Sequence, residues 1–227
     1  MKHYMAVIFS LLTALAFIAC DEQTNNNNND NDDKDTVPTE DTVYAFAVIR
    51  VDQGTDSLFG ISVSEVPFTF KRFSEVQSYT AKSPTGGAAM FLMALNVYQK
   101  YNKEGIKALV CAVSEQVKME SNSSDSYDGY SLYTGDMSII RSSLGYYPAL
   151  TTAYLDGATP ENGYVPAGPP YIYYFSYDHN NTDLAKGYAR LLVQTKGADS
   201  PRPVNVVMDK DGLWRAKTFS SLLAGLK

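Results

Sequence analysis

The chain is 227 residues long, 44% hydrophobic and carries a formal charge of −6, which is enough apolar material for a core and excludes a wholly disordered polymer. The negative charge is concentrated in one stretch, where Asp21, Glu22, Asp30, Asp32, Asp33, Asp35, Glu40 and Asp41 stand against Lys34 alone, while Tyr44 to Lys227 carries 17 acidic and 17 basic residues. A neutral body lacks the basic field that non-specific nucleic-acid binding needs, so no nucleic-acid partner is expected, nor strong steering of a charged substrate.

At the start, Lys2 precedes an apolar run from Met5 to Ala19, and Phe17-Ile18-Ala19 leads into Cys20. Residues 1–19 therefore read as a lipoprotein signal, with Cys20 as the lipidation site whose thiol accepts the acyl chains once the signal is cut. The run is too short to span a bilayer comfortably, and Asp21-Glu22 is not a stop-transfer cluster. Two or more acyl chains on one cysteine hold a protein stably where one holds it only marginally. Residues 20–43 follow as the acylated cysteine and a tether containing the run Asn25 to Asn29. Such a stretch has too little apolar surface to offset the entropy of ordering, so it is expected to be a disordered spacer with a reach of roughly 25 Å. The acidic residues beside Cys20 resemble the export tags of Bacteroidetes surface lipoproteins, which implies an outer-membrane anchor with the domain on the cell surface or the periplasmic face.

Residues 44–227 suit one domain. Alternating aromatic and β-branched residues in Tyr44 to Val51, a turn over Asp52 to Asp56, and a second run from Leu58 to Val63 predict a hairpin. Pro67 to Phe73 reads as a third extended piece, with a short helix from Ser74 to Tyr79. Ser83 as N-cap and Pro84 at the first helical position start a helix that is apolar to about Tyr101. Lys103 to Ser114, with Ile106, Leu109, Val110 and Val113 on one stripe, predicts its antiparallel partner. Glu120 to Gly129 reads as a serine and aspartate loop, and Asp136 to Leu144 as a short helix stopped by Gly145 and Pro148. Strands are predicted over Tyr171 to Tyr177, Gly187 to Thr195, Val204 to Met208 and Leu213 to Ala216, with a hairpin turn at Asp209 to Gly212 and a terminal helix from Phe219 to Leu226. Helices grouped in one part and hairpin-linked strands in another indicate an α+β fold, in which an N-terminal hairpin and a helical pair pack on a C-terminal antiparallel sheet.

Little chemistry announces itself. His179 lies in a polar turn and reads as solvated, though it is a candidate base. Cys111, the one cysteine left after Cys20 is acylated, lies in an apolar helical pattern and reads as a buried thiol. Asp209, Asp211 and Gly212 mimic the start of a calcium loop but suit a hairpin turn better. No serine sits in a GxSxG elbow, and neither a metal site nor a cofactor is implied. Ser83-Pro84-Thr85-Gly86-Gly87 lacks the lysine of a phosphate loop and reads as a helix start beside close-packed backbone. Twelve tyrosines fall between Tyr127 and Tyr188, and Tyr171, Tyr173 and Tyr177 share one strand face with Phe175. Such rings suit a half-buried sheet, a protein interface or a sugar-binding surface.

Two loops combine rigid prolines with polar heads: Gly157-Ala158-Thr159-Pro160-Glu161-Asn162-Gly163-Tyr164, and Gly197-Ala198-Asp199-Ser200-Pro201-Arg202-Pro203. With Gly212-Leu213-Trp214, the ending Ser220-Ser221-Leu222-Leu223-Ala224-Gly225-Leu226 and the upstream Pro84-Thr85-Gly86-Gly87-Ala88-Ala89, they resemble a bacterial family of uncharacterised domains marked by GATPEN-x-Y-x-P and GADSPRPV segments. The resemblance covers about Phe68 to Lys227 and implies no activity. Physically, Arg202 is expected to pair with Asp199, Glu161 or Asp156 as a clamp between loops. The sharper alternative has Glu161, Asn162, Tyr164, Asp199 and Arg202 lining a ligand pocket, with Tyr171 and Tyr173 adding rings. These features favour a non-enzymatic, lipid-anchored domain that binds a ligand or protein partner. Glycan capture through the tyrosine face is the second reading, and a small-molecule enzyme using Asp199, Glu161 or His179 the third.

Overall fold

The computed structural model describes residues 46–53, 56–67 and 69–227, all within the unit Thr36–Lys227. The signal, Cys20 and the tether lie outside the described residues, as does the tip of the first hairpin.

Strands β1 (Phe46–Gln53) and β2 (Asp56–Val63) pair antiparallel from Phe46↔Val63 to Gln53↔Asp56. The hairpin does not form a separate layer: β2 pairs with β5 (Tyr171–Tyr177), and the sheet continues through β6 (Tyr188–Val193), β7 (Arg202–Met208) and β8 (Trp214–Thr218). This six-stranded sheet is antiparallel throughout. Among the described residues the α-helices all sit in the single long connection from β2 to β5: α1 (Phe70–Thr80), α2 (Pro84–Lys100), α3 (Asn102–Ala112) and α4 (Thr134–Tyr146). The α+β expectation holds.

Helix α2 is the centre of the core. Ser83 Oγ accepts from Gly86 N at 3.1 Å, and Pro84 occupies the first turn. Ala88 to Leu95 are all fully buried, as an all-round apolar helix requires. Its glycines mark close approach. A Cβ on Gly86 would fall 1.7 Å from the Thr80 carbonyl oxygen, and one on Gly87 2.5 Å from that of Trp214. The glycine-rich start is thus where α2 meets the end of α1 and strand β8, the packing role expected of it. On the sheet, Ile61, Val63, Tyr173, Phe175, Leu191, Val193, Val204, Val206 and Ala216 join α2 in one hydrophobic cluster.

Three expectations give way to tertiary context. The extended piece over Pro67 to Phe73 is helical from Phe70, because Thr69 Oγ1 caps Arg72 N at 3.1 Å and Phe73, Val76, Gln77 and Thr80 bury one helical face. Within the serine and aspartate region, the flanks pair as β3 (Lys118–Glu120) and β4 (Tyr130–Leu132). The terminal helix is only a 3-10 turn, Ser220–Leu223, after which Ala224 is extended. The carbonyls that would continue it, of Ala224 and Gly225, are taken by Arg202.

Candidate functional site: a motif clamp and a cleft at a fork in the sheet

Arg202 opens β7 and is 8% exposed. Among the described residues its guanidinium is in no ion pair with a carboxylate. It donates instead to main-chain oxygens, to Ala224 O at 2.5 Å, to Gly225 O, and more weakly to Ser221 O at 3.5 Å, and it lies 3.4 Å from the Tyr154 hydroxyl. The expected pairing with Asp199, Glu161 or Asp156 is therefore replaced by a cation set against the carbonyl end of a turn, which the local dipoles favour. Tyr154 donates to Leu222 O at 2.6 Å, and burial pushes its phenol up to about 12 against the pull of Arg202.

The other motif loop reaches the same segment. Tyr164, at φ +61°, donates its hydroxyl to Lys227 O at 2.7 Å. Lys227 N bonds Gly197 O at 3.1 Å, and Lys227 Nζ pairs with the exposed Asp199. A Cβ on Gly197 would meet Leu226 Cδ2 at 2.7 Å. Asn162 works locally: Oδ1 accepts from Thr159 N and Val165 N, and Nδ2 donates to Gly157 O and Val165 O, at 2.8–3.1 Å. Glu161 is exposed, its carboxyl held below the usual range by its own backbone N–H and the Thr159 hydroxyl. Tyr164, Asp199 and Arg202 thus hold the C-terminal segment, while Glu161 and Asn162 bond within their own loop.

The tyrosine face also differs from a binding surface. Tyr173 is fully buried and burial pushes its phenol well up, Phe175 is fully buried, and Tyr171 and Tyr177 pack against the same core. His179 lies exposed beside the Tyr177 ring. Asp209 accepts from Ser114 Oγ at 2.7 Å, Glu115 N at 3.2 Å and Arg215 at 3.1 Å, and Arg215 also pairs with Asp211. The hairpin turn therefore holds a cation of its own chain. Cys111 is half-buried, and burial raises its thiol. Its carbonyl accepts from Gln77 at 2.8 Å and Arg215 at 2.9 Å.

What the sequence reading missed is a cleft. Along one edge β5 pairs with β6 through Phe175↔Val193, and Gln194 N still bonds Tyr174 O at 2.9 Å. One step further the partner changes: Leu155 bridges Tyr173, and Asp156 N bonds Ile172 O at 2.9 Å. The chain after β6 and the Tyr154 to Asp156 segment are thus the two prongs of a fork on β5, tied at the base by Thr195 Oγ1 donating to Ala153 O at 2.7 Å. Between them lies a cleft of about 500 Å³ lined by Leu58, Asp156, Thr159, Tyr174, Gln194 and Lys196 among others. It opens on the face away from the helices, since Tyr173 and Val193 point to the core and their neighbours Tyr174 and Gln194 to the other side. None of the seven residues expected from sequence as ligand contacts lines it, although Gly157 to Thr159 of the first motif does.

The match to known families takes in the clamp and most of the core: the family described as Domain of unknown function (DUF6935) matches residues 65–227, leaving out Ile61 and Val63 of the core. The chain belongs to this family. DUF6935 thus takes in the helices, β5 to β8, both clamp loops and the held ending, while β1 and β2 precede it. No curated protein and no solved structure matches the chain.

Proposed function

We propose that this protein is a lipid-anchored extracytoplasmic domain that binds a ligand without transforming it, held to the outer membrane through acylated Cys20 and set off from it by the tether. The observation that carries the binding half is the fork cleft. It is of ligand-binding size, has an apolar floor in Leu58 and Tyr174, and has a few polar groups at its rim, the usual make-up of a small-molecule site. The anchoring half rests on Phe17-Ile18-Ala19-Cys20 and the anionic stretch behind it.

Each half has its own test. Metabolic labelling with palmitate and intact-mass measurement are expected to show acylation that Cys20→Ser abolishes, with loss of the protein from the membrane fraction; unchanged membrane retention refutes the anchor. A thermal-shift screen of the full chain against amino acids, dipeptides, nucleosides and simple sugars is expected to give a rise in Tm that Asp156→Asn and Lys196→Gln remove. A rise that survives both variants places binding elsewhere and refutes the cleft.

A further inference from the structure

Resting on that reading, we propose that the ligand of the fork cleft is a neutral sugar, with a pyranose ring laid against Tyr174 and its hydroxyls held by Asp156, Gln194 and Lys196. The rim offers one acid, Asp156, on one prong and one base, Lys196, on the other; both are exposed, and among the described residues neither is in an ion pair. One charge of each sign gives no net field to select an anion or a cation. A purely apolar ligand would strip water from a carboxylate, an ammonium and an amide without replacing their hydrogen bonds, which is costly. A hydroxyl-rich neutral ligand satisfies all three, because each sugar hydroxyl both donates, as to Asp156, and accepts, as from Lys196.

The platform is the second element. Tyr174 is half-buried on the open face, and directly opposite it on β2 stands Gly60, which contributes no side chain to that face. A pyranose has one face of C–H groups that packs on such a ring, while its equatorial hydroxyls project to the sides. Burial, and then the nearby Asp156 charge, raise the Tyr174 phenol, so the hydroxyl stays protonated and can donate. Gln194 supplies a planar amide that can bridge adjacent hydroxyls, and its backbone position is fixed by the bond to Tyr174 O. The main chain of Asp156 and of Gln194 is each tied to β5 by one bond, to Ile172 O and Tyr174 O, while Lys196 lies in the bend that follows β6.

Affinity electrophoresis of the full chain through gels containing β-glucan, xylan or galactomannan tests this, with polygalacturonate as the acidic probe. Expected is retardation by at least one neutral polysaccharide, weakened about tenfold or more by Tyr174→Ala and by Asp156→Asn, and largely kept by Tyr174→Phe. Asp156 is exposed, so its variant is expected to keep the parental Tm and to separate binding from folding. No retardation by any neutral polysaccharide, retardation by polygalacturonate alone, or retardation indifferent to both Tyr174→Ala and Asp156→Asn overturns the sugar. A non-sugar hit in the thermal-shift screen that Asp156→Asn and Lys196→Gln abolish overturns the sugar and leaves the binding cleft standing; binding that ignores the cleft variants overturns both.

Discussion

Replacing Arg202 by alanine removes the cation on which the ending of the chain is hung. Two of its bonds, to Ala224 O and Gly225 O, are short and charge-assisted, and those to Ser221 O and the Tyr154 hydroxyl are long. Charge-assisted bonds contribute about 1.5–3 kcal/mol each. Ala224 and Gly225 are themselves exposed, so water replaces part of what the variant loses, and we expect a net cost of about 3 kcal/mol. For a domain of this size that is a fall in Tm of about 6–12 °C, read by calorimetry or far-ultraviolet circular dichroism on the full chain. Arg202→Lys is expected to recover only part, because an ammonium cannot span two carbonyls as the planar fork does. A Tm lowered by less than about 2 °C, or a lysine that restores all of it, refutes the clamp. Loss of ligand binding at unchanged Tm would instead return Arg202 to the pocket reading.

Three more outcomes follow from particular contacts. Tyr154 has its phenol raised in the folded state to about 12, so the stability it contributes is complete below the ordinary value near 10 and is lost as pH rises through 12; the amount is on the order of 2–3 kcal/mol. Urea midpoints measured from pH 9 upward should therefore decline, and Tyr154→Phe should flatten the decline by about one proton; an unchanged slope contradicts the burial argument. Gly87→Ala puts a methyl 2.5 Å from the Trp214 carbonyl oxygen and should cost about 2–3 kcal/mol by chemical denaturation, whereas a neutral result would mean that α2 is not pressed on β8. Asp209→Ala leaves Arg215, whose side chain is 12% exposed, on Asp211 and the Cys111 carbonyl alone and takes the acceptor from Ser114 Oγ and Glu115 N; a loss of about 1–3 kcal/mol is expected, and a loss within experimental error would show that Asp211 alone suffices.

The parts of this fold that could be read from sequence are those whose cause is local. Helix α2 was legible because Ser83, Pro84 and an unbroken apolar run state its start and its burial, and β5 because Tyr171 to Tyr177 alternates within itself. The β7–β8 turn was legible because Gly212 supplies a positive φ, +79°. The helix over Ser74 to Tyr79 was legible, but the start of α1 was misread as extended since Phe70 and Phe73 have strand propensity, and only contact with the core favours the helical spacing of Phe73, Val76, Gln77 and Thr80. The ending was misread because Phe219 to Leu226 has a helical pattern whose carbonyls a distant arginine captures. The cleft was invisible for a related reason. Asp156, Tyr174 and Lys196 are ordinary surface residues until the pairing of β5 passes from β6 to Leu155, and nothing near them in the chain announces that change of partner. The motif strings drew attention to the right loops and the wrong atoms: Arg202 and Tyr164 hold the ending, while main chain at Gly157 to Thr159 borders the cleft.

The fork as a binding site is the claim from which the rest of the functional reading grows, and amide hydrogen exchange tests it on the intact chain. With a saturating mixture of neutral oligosaccharides from β-glucan, xylan and galactomannan, slowed exchange is predicted in the peptides spanning Leu155 to Thr159 and Gln194 to Lys196, with Tyr44 to Gln53 and α4 unchanged. Protection confined to any other surface contradicts the fork as the site, and none at all contradicts the sugar.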